Sequence, residues 1–219
     1  MKNTPLFSVI IPTYNRAKLL PRAINSVIAQ QESDWELIIV DDGSTDKTSQ
    51  VVEKYSRSNK NIRYLRKRNE GPSKARNKGA RSAKGKFVTF LDSDDEYMSN
   101  HLSLRRKAIN QKPSLSFLYG NFKTKGSQYV PDKYDVSRLI HVSKVVSVGT
   151  FAVKRDLFLK LKGFKSIYSE DSDLLKRARK IGVKPYKIKT ATYIYHNTTP
   201  GSVTRKIYKQ SKTVLGHRS

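Results

Sequence analysis

Nine of the eighteen Asp and Glu residues lie in three short clusters: Asp41-Asp42, Leu91-Asp92-Ser93-Asp94-Asp95-Glu96, and Glu170-Asp171-Ser172-Asp173. Carboxylates packed side by side repel one another and raise one another's pKa, so such groups are costly unless a cation or a proton-transfer role compensates. A divalent metal is the simplest compensation. Asp is also a common N-cap and turn residue, so one cluster alone would carry little. Three are harder to dismiss, because two of them follow apolar, β-branched runs. In open α/β sheets, ligands bind outside the carboxyl ends of the strands, and the acids are expected to converge there.

The runs that must position these acids alternate in type. Phe7–Pro12 reads as a buried strand, and Leu19, Leu20, Ala23, Val27 and Ile28 form one apolar helical stripe after it. Trp35–Val40 is a second strand, and Asp41–Asp46 a turn opening a helix that carries Val51, Val52 and Tyr55. Ile62–Leu65, a basic helix over Ser73–Ser82 and a strand over Phe87–Phe90 continue the series. The alternation predicts a parallel, doubly wound α/β sheet with helices on both faces. Beyond the acidic loop the spacing predicts a helix over Leu102–Ile109, strands over Leu115–Tyr119 and Thr150–Val153, and helices over Arg155–Leu161 and Ser172–Ile181. Two short runs, Pro185–Ile188 and the strand Thr192–Tyr195, follow them. The stretch 120–146 has little pattern, and 197–219 reads as a basic, mobile tail.

With 219 residues the chain can bury one sizeable core. It has no cysteine, which excludes a disulfide scaffold and thiolate metal sites and suits a reducing compartment. No stretch approaches the ~20 apolar residues of a spanning helix. A soluble, cytoplasmic protein is expected. Against 44 Lys and Arg the acids leave a formal charge of +26, a field that would attract nucleic acid, an anionic membrane surface or phosphorylated small molecules.

In order along the chain stand Val9-Ile10-Ile11-Pro12-Thr13-Tyr14-Asn15, Val40-Asp41-Asp42-Gly43-Ser44-Thr45-Asp46, Asn69-Glu70-Gly71 with Ala75-Arg76-Asn77-Lys78-Gly79, Phe90-Leu91-Asp92-Ser93-Asp94-Asp95, Gly163-Phe164 and Glu170-Asp171-Ser172-Asp173-Leu174. In these motifs the chain resembles family 2 glycosyltransferases. The resemblance implies a GT-A fold: a Rossmann-like, mostly parallel central sheet flanked by helices in a single domain over 1–196, its nucleotide-binding part about 6–97 and its acceptor-binding part about 98–196. It implies that Asp92 and Asp94 form the Asp-x-Asp segment serving Mn²⁺ or Mg²⁺. Asp94 would be the direct ligand and Asp92 would contact the ribose or the metal shell. Hard oxygen ligands suit those ions.

On the same resemblance Asp42 accepts the pyrimidine N–H, with Pro12, Thr13 and Tyr14 as the other wall of the base pocket and Asp41 as a supporting turn residue. Asn69, Arg76 and Ser93 complete the nucleotide-sugar contacts, and Lys74 reads as phosphate-facing or as a solvated basic face. An acceptor-only carboxylate reads the imide of uracil or thymine, which favours a UDP-sugar. Asp171 matches the general base that deprotonates the acceptor hydroxyl, with Glu170 orienting it and Asp173 a first-turn helix residue. His196 is either a metal or diphosphate contact or an ordinary polar strand end, and Asp95 either a helix N-cap or a site residue. The implied reaction is inverting transfer of one sugar to a glycan or lipid-linked acceptor, at a cytoplasmic site that can include the inner membrane surface. The Gln-x-x-Arg-Trp motif of processive synthases is absent: Trp35 is the only tryptophan. Two other readings stay open at this point. One is a nucleic-acid-binding protein using the charge and twelve tyrosines, although no specific nucleic-acid module is recognisable. The other is a nucleotidyltransferase, which lacks a Gly-rich phosphate loop here.

Overall fold

The computed structural model describes residues 4–197. The first half alternates as β1 (Phe7–Thr13), α1 (Leu20–Ile28), β2 (Trp35–Asp41), α2 (Thr48–Ser58), β3 (Ile62–Arg66), α3 (Pro72–Ser82) and β4 (Phe87–Phe90). Then follow β5 (Glu96–Tyr97), α4 (His101–Gln111), β6 (Phe117–Lys125), β7 (Tyr129–Pro131), β8 (Leu139–His141), β9 (Ala152–Lys154), α5 (Arg155–Lys160), α6 (Glu170–Lys180) and β10 (Tyr186–His196). Every residue of β1, β2 and β4 is buried. This explains their unbroken apolar runs, since parallel strands covered on both faces have no solvent side to alternate toward.

The main sheet has the order β3-β2-β1-β4-β9-β6-β10-β5. β1 pairs in parallel with β2 on one side and β4 on the other. The chain therefore winds outward from β1 in both directions. The crevice beyond the carboxyl ends of β1 and β4 is the topological switch point, where open α/β sheets place ligands. Side chains alternate along β1. Phe7, Val9 and Ile11 join a core under α1 and α4 with Leu20, Ile24, Val27 and Leu102, whereas Ile10 joins a second core under α3, α5 and α6 with Ala75, Phe158 and Leu174. α3 lies so close to the sheet that a Cβ at Gly79 would stand 2.5 Å from Ile10 Cγ2.

The central sheet is mostly parallel, as the resemblance implies, with β9 antiparallel to both β4 and β6 and β5 antiparallel to β10. Three expectations need correction. The last two runs form one strand, β10, whose pairing with β6 shifts register between Ile188 and Tyr193. Thr150 ends a short 3₁₀ turn instead of beginning a strand. The unpatterned stretch 120–146 holds the rest of β6 and the hairpin β7–β8, whose strands are partly exposed and so lack a long apolar face. Among the described residues no helix is long and apolar enough to cross a membrane. The tail 198–219 lies outside the described residues.

Candidate functional site

The ends of β1 and β2 are stitched together by polar contacts. The Asp42 N–H donates to the Thr13 carbonyl at 2.8 Å, and Asn15, at φ 51°, accepts from the Thr45 N–H at 2.8 Å. Asp41 is the supporting turn residue expected, accepting from the Ser44 N–H at 2.8 Å and the Tyr64 hydroxyl at 2.5 Å. The Asp42 carboxylate accepts from Lys67 Nζ at 2.7 Å, the Gly71 N–H at 2.7 Å and the Glu70 N–H at 3.1 Å. A carboxylate offers about four lone-pair sites, so room is left for about one more donor. Burial pulls the Lys67 pKa down, but Asp42 and Glu70 outweigh it and raise it. Pro12 and Thr13 are buried, while Tyr14 stands 46% exposed at the rim. Asn69 is an exposed loop residue, its backbone N–H close behind Gly43.

The acidic loop leaves β4 at the switch point, where the Leu91 N–H bonds the Ile10 carbonyl at 3.0 Å. Arg76, buried on α3, donates to Asp92 from one guanidinium nitrogen and to Glu170 from the other. Burial would lower the Arg76 pKa, but the two carboxylates raise it. Ser93 is buried beside them. Asp94 titrates above the usual carboxylate range because of burial and then the charge on Asp92, with Arg16 and Arg22 opposing; the Arg22 guanidinium also donates to the Asp94 carbonyl. Asp95 caps no helix, since α4 has Asn100 at its N-cap. Asp95 instead turns inward, accepting from the Tyr193 hydroxyl and from the His196 N–H at 2.7 Å. The His196 ring reaches the same loop, its Nε2 lying 2.8 Å from Glu96 Oε1.

Glu170 and Asp171 occupy the first turn of α6, which begins two residues earlier than its apolar spacing predicts. Ser169, the residue before it, is left-handed at φ 64°. Asp171 accepts from the Ser172 N–H at 2.6 Å and the Ser169 hydroxyl at 3.2 Å. Burial nevertheless keeps both acids above their ordinary range, with Arg76 as a counterweight to each. Asp173 pairs with Arg177 at 2.7 Å, as a first-turn structural residue would. Lys74 pairs with Glu70 at 3.0 Å on the surface, which is the solvated reading.

Two of the three acidic clusters thus meet through Arg76. Among the described residues Arg76 Nε, Glu170 Oε2 and, at the end of β1, Thr13 Oγ1 are buried without a hydrogen-bond partner. Buried polar atoms are rarely left unsatisfied in a folded protein, so a polar ligand could partner them. Among the described residues no group of three or more His, Asp or Glu forms a preformed metal cage. Two clustered carboxylates, Asp92 and Asp94, still fit Mn²⁺ or Mg²⁺, which characteristically takes one or two carboxylates with phosphate and water as the rest. Lys67, Arg16 and Arg22 were not anticipated from sequence. A Lys with 9% side-chain exposure carries no periodic signal in a chain with 44 cations.

Residues 8–158 match the family model described as Glycosyl transferase family 2. An uncharacterised glycosyltransferase of Haemophilus influenzae is 32% identical over 95% of this chain and 74% of its own length. The Escherichia coli UDP-Glc:alpha-D-GlcNAc-diphosphoundecaprenol beta-1,3-glucosyltransferase WfgD is 32% identical over 76% of this chain and 66% of its own. Among solved structures, residues 1–349 of Staphylococcus aureus TarS in complex with UDP-GlcNAc superpose with a TM-score of 0.73 at 26% identity. That match covers 95% of this chain and 65% of TarS 1–349.

Proposed function

The chain belongs to glycosyl transferase family 2, and on that premise we propose that it moves one hexosyl or N-acetylhexosaminyl residue from a nucleotide-diphosphate sugar, a UDP-sugar first, to a hydroxyl acceptor with inversion. The acceptor is a glycan or a lipid-linked sugar, in surface polysaccharide or glycoconjugate synthesis. WfgD, named for a UDP-glucose donor and a diphospholipid acceptor, and TarS, crystallised with UDP-GlcNAc, support that choice of substrates. The observation that carries the reading is the convergence of Asp92, Arg76 and Glu170 at the switch point, where Arg76 Nε and Glu170 Oε2 are buried without a partner among the described residues.

In this reading Pro12, Thr13 and Tyr14 wall the base and the remaining lone pair of Asp42 accepts its imide N–H. Asn69 and Ser93 line the donor, and Asp92 and Arg76 face the ribose and diphosphate. Asp92 and Asp94 would hold Mn²⁺ or Mg²⁺, which supplies positive charge to the departing diphosphate; His196 would join them only on leaving Glu96. Arg76 offers the same charge from the protein side, in a buried setting where it is worth more than in water. Asp171 takes the acceptor proton as the hydroxyl attacks from the face opposite the diphosphate, and Glu170 orients it. The nucleotide part spans about 6–97 and the acceptor part about 98–196. Family membership favours this reading over the nucleic-acid and nucleotidyltransferase ones.

A thermal-shift screen of nucleotide sugars with Mn²⁺ tests the reading, since a ligand that binds only the folded state raises its apparent stability. UDP and a UDP-sugar should raise the melting temperature of the wild type and do so far less for Asp42→Ala. No shift with any uridine or thymidine nucleotide would refute it.

A further inference from the structure

Beside Ser172, the chain neighbour of Asp171, a cavity of about 600 Å³ opens between α6 and the β7–β8 hairpin. Its walls carry Lys133 and Tyr134 from the hairpin and Ser172, Lys176, Arg179 and Lys180 from α6, with no carboxylate among the lining residues. The α6 residues follow the spacing i, i+4, i+7 and i+8, which sets them on one helical face. At ~1.5 Å of rise per residue that face carries its cations from about 6 to 12 Å beyond Ser172, the neighbour of Asp171. Lys133 closes the opposite wall and lies near enough to Asp171 that its charge opposes, in small part, the rise that burial gives the Asp171 pKa. The hairpin is anchored to this side of the site, for the Tyr168 hydroxyl just before α6 donates to the Pro131 carbonyl at 2.8 Å.

We propose that this cavity is an acceptor subsite for a diphosphate, the group that would link an acceptor sugar to its carrier. The proposal rests on the glycosyltransferase reading above. Four cations around one concavity focus a positive potential that a flat basic surface does not, and none of the four makes an ion pair with a carboxylate among the described residues. Ligand pockets of ~300–1,000 Å³ hold molecules of drug size, which is room for a sugar and its diphosphate. With the acceptor hydroxyl at Asp171, the acceptor sugar would lie over Ser172 and its diphosphate would reach Lys176, Arg179 and Lys133. The exposed Tyr134 ring, over which Lys133 Nζ sits 4.8 Å from the centroid, offers a face to the sugar.

The test titrates inorganic pyrophosphate into protein already saturated with UDP at fixed free Mg²⁺, and repeats the titration with Lys176→Glu/Arg179→Glu. Both positions are exposed, so the fold is retained, and UDP affinity in the same preparations serves as the control. The wild type should bind pyrophosphate in addition to UDP, and the double variant should bind it tenfold or more weakly with UDP affinity unchanged. Absence of a second pyrophosphate site, or equal affinity in the variant, overturns the proposal while leaving UDP binding intact. Failure of UDP binding instead overturns the donor reading. A second arm uses phosphatidylglycerol vesicles: a variant that loses vesicle binding but keeps pyrophosphate assigns these cations to a membrane surface and also overturns the proposal.

Discussion

Arg76 spans the gap between Asp92 and Glu170, so one guanidinium ties the carboxylate proposed to face the metal to the one proposed to orient the acceptor. Among the described residues no cation is bonded to the Asp94 carboxylate, and burial and Asp92 push its pKa up. Its ionised form therefore gains from an added cation. Asp94→Asn should weaken metal-dependent UDP binding tenfold or more, ~1.4 kcal/mol or more, measured by calorimetry with and without EDTA. Asp171→Asn should leave UDP affinity nearly unchanged and lower turnover by roughly 10²-fold or more. The raised Asp171 pKa fixes two signs. A base must be ionised, so turnover should fall as pH drops through a value above that of an ordinary Asp. Protonation of the same group favours the folded state, so its contribution to stability is lost as pH rises from the ordinary value through the raised one. The Asn variant should thus be slow but no less stable at neutral pH, and a variant both active and destabilised would contradict the assignment.

α6 carries the proposed base, and a turn before it is fastened to both α3 and α6. Gly163 at φ +65° sits against α3, where an added Cβ would stand 2.3 Å from Asn77 Oδ1. The Asn77 amide cannot swing away freely. It accepts from the Phe164 N–H and donates to the Phe164 carbonyl, both at 2.8 Å. The Arg177 guanidinium fastens the other side, donating to the Gly163 carbonyl at 2.7 Å. Gly163→Ala should therefore cost about 1–3 kcal/mol through the left-handed backbone and the clash, read as a lower midpoint in urea. Turnover should fall more than UDP affinity, because the displaced element carries Glu170 and Asp171. A variant with wild-type stability would show that the turn is not under this constraint.

At the scale of the molecule the charge of +26 would suit the proposed lipid-linked acceptor if that acceptor lies at an anionic leaflet. Basic residues near such a surface contribute about 1 kcal/mol each, fading within a Debye length. The protein should sediment with anionic vesicles at low salt, be released at high salt, and ignore neutral vesicles. Tight oligonucleotide binding at physiological salt without vesicle binding would assign the charge to nucleic acid instead.

The local sequence determined the alternation of strands and helices through β4 and the acidic clusters at two strand ends and one helix start, because these follow from apolar periodicity and turn chemistry within a few residues. Only the tertiary structure decided which acids meet. Asp92 and Glu170 are joined through Arg76 from a third segment, and Asp95, legible from sequence only as either a cap or a site residue, holds β10 through Tyr193 and His196. The antiparallel insertion of β9 and the hairpin wall of the basic cavity were equally invisible. Such pairings depend on contacts between residues far apart in the chain, and short-range pattern carries no record of them.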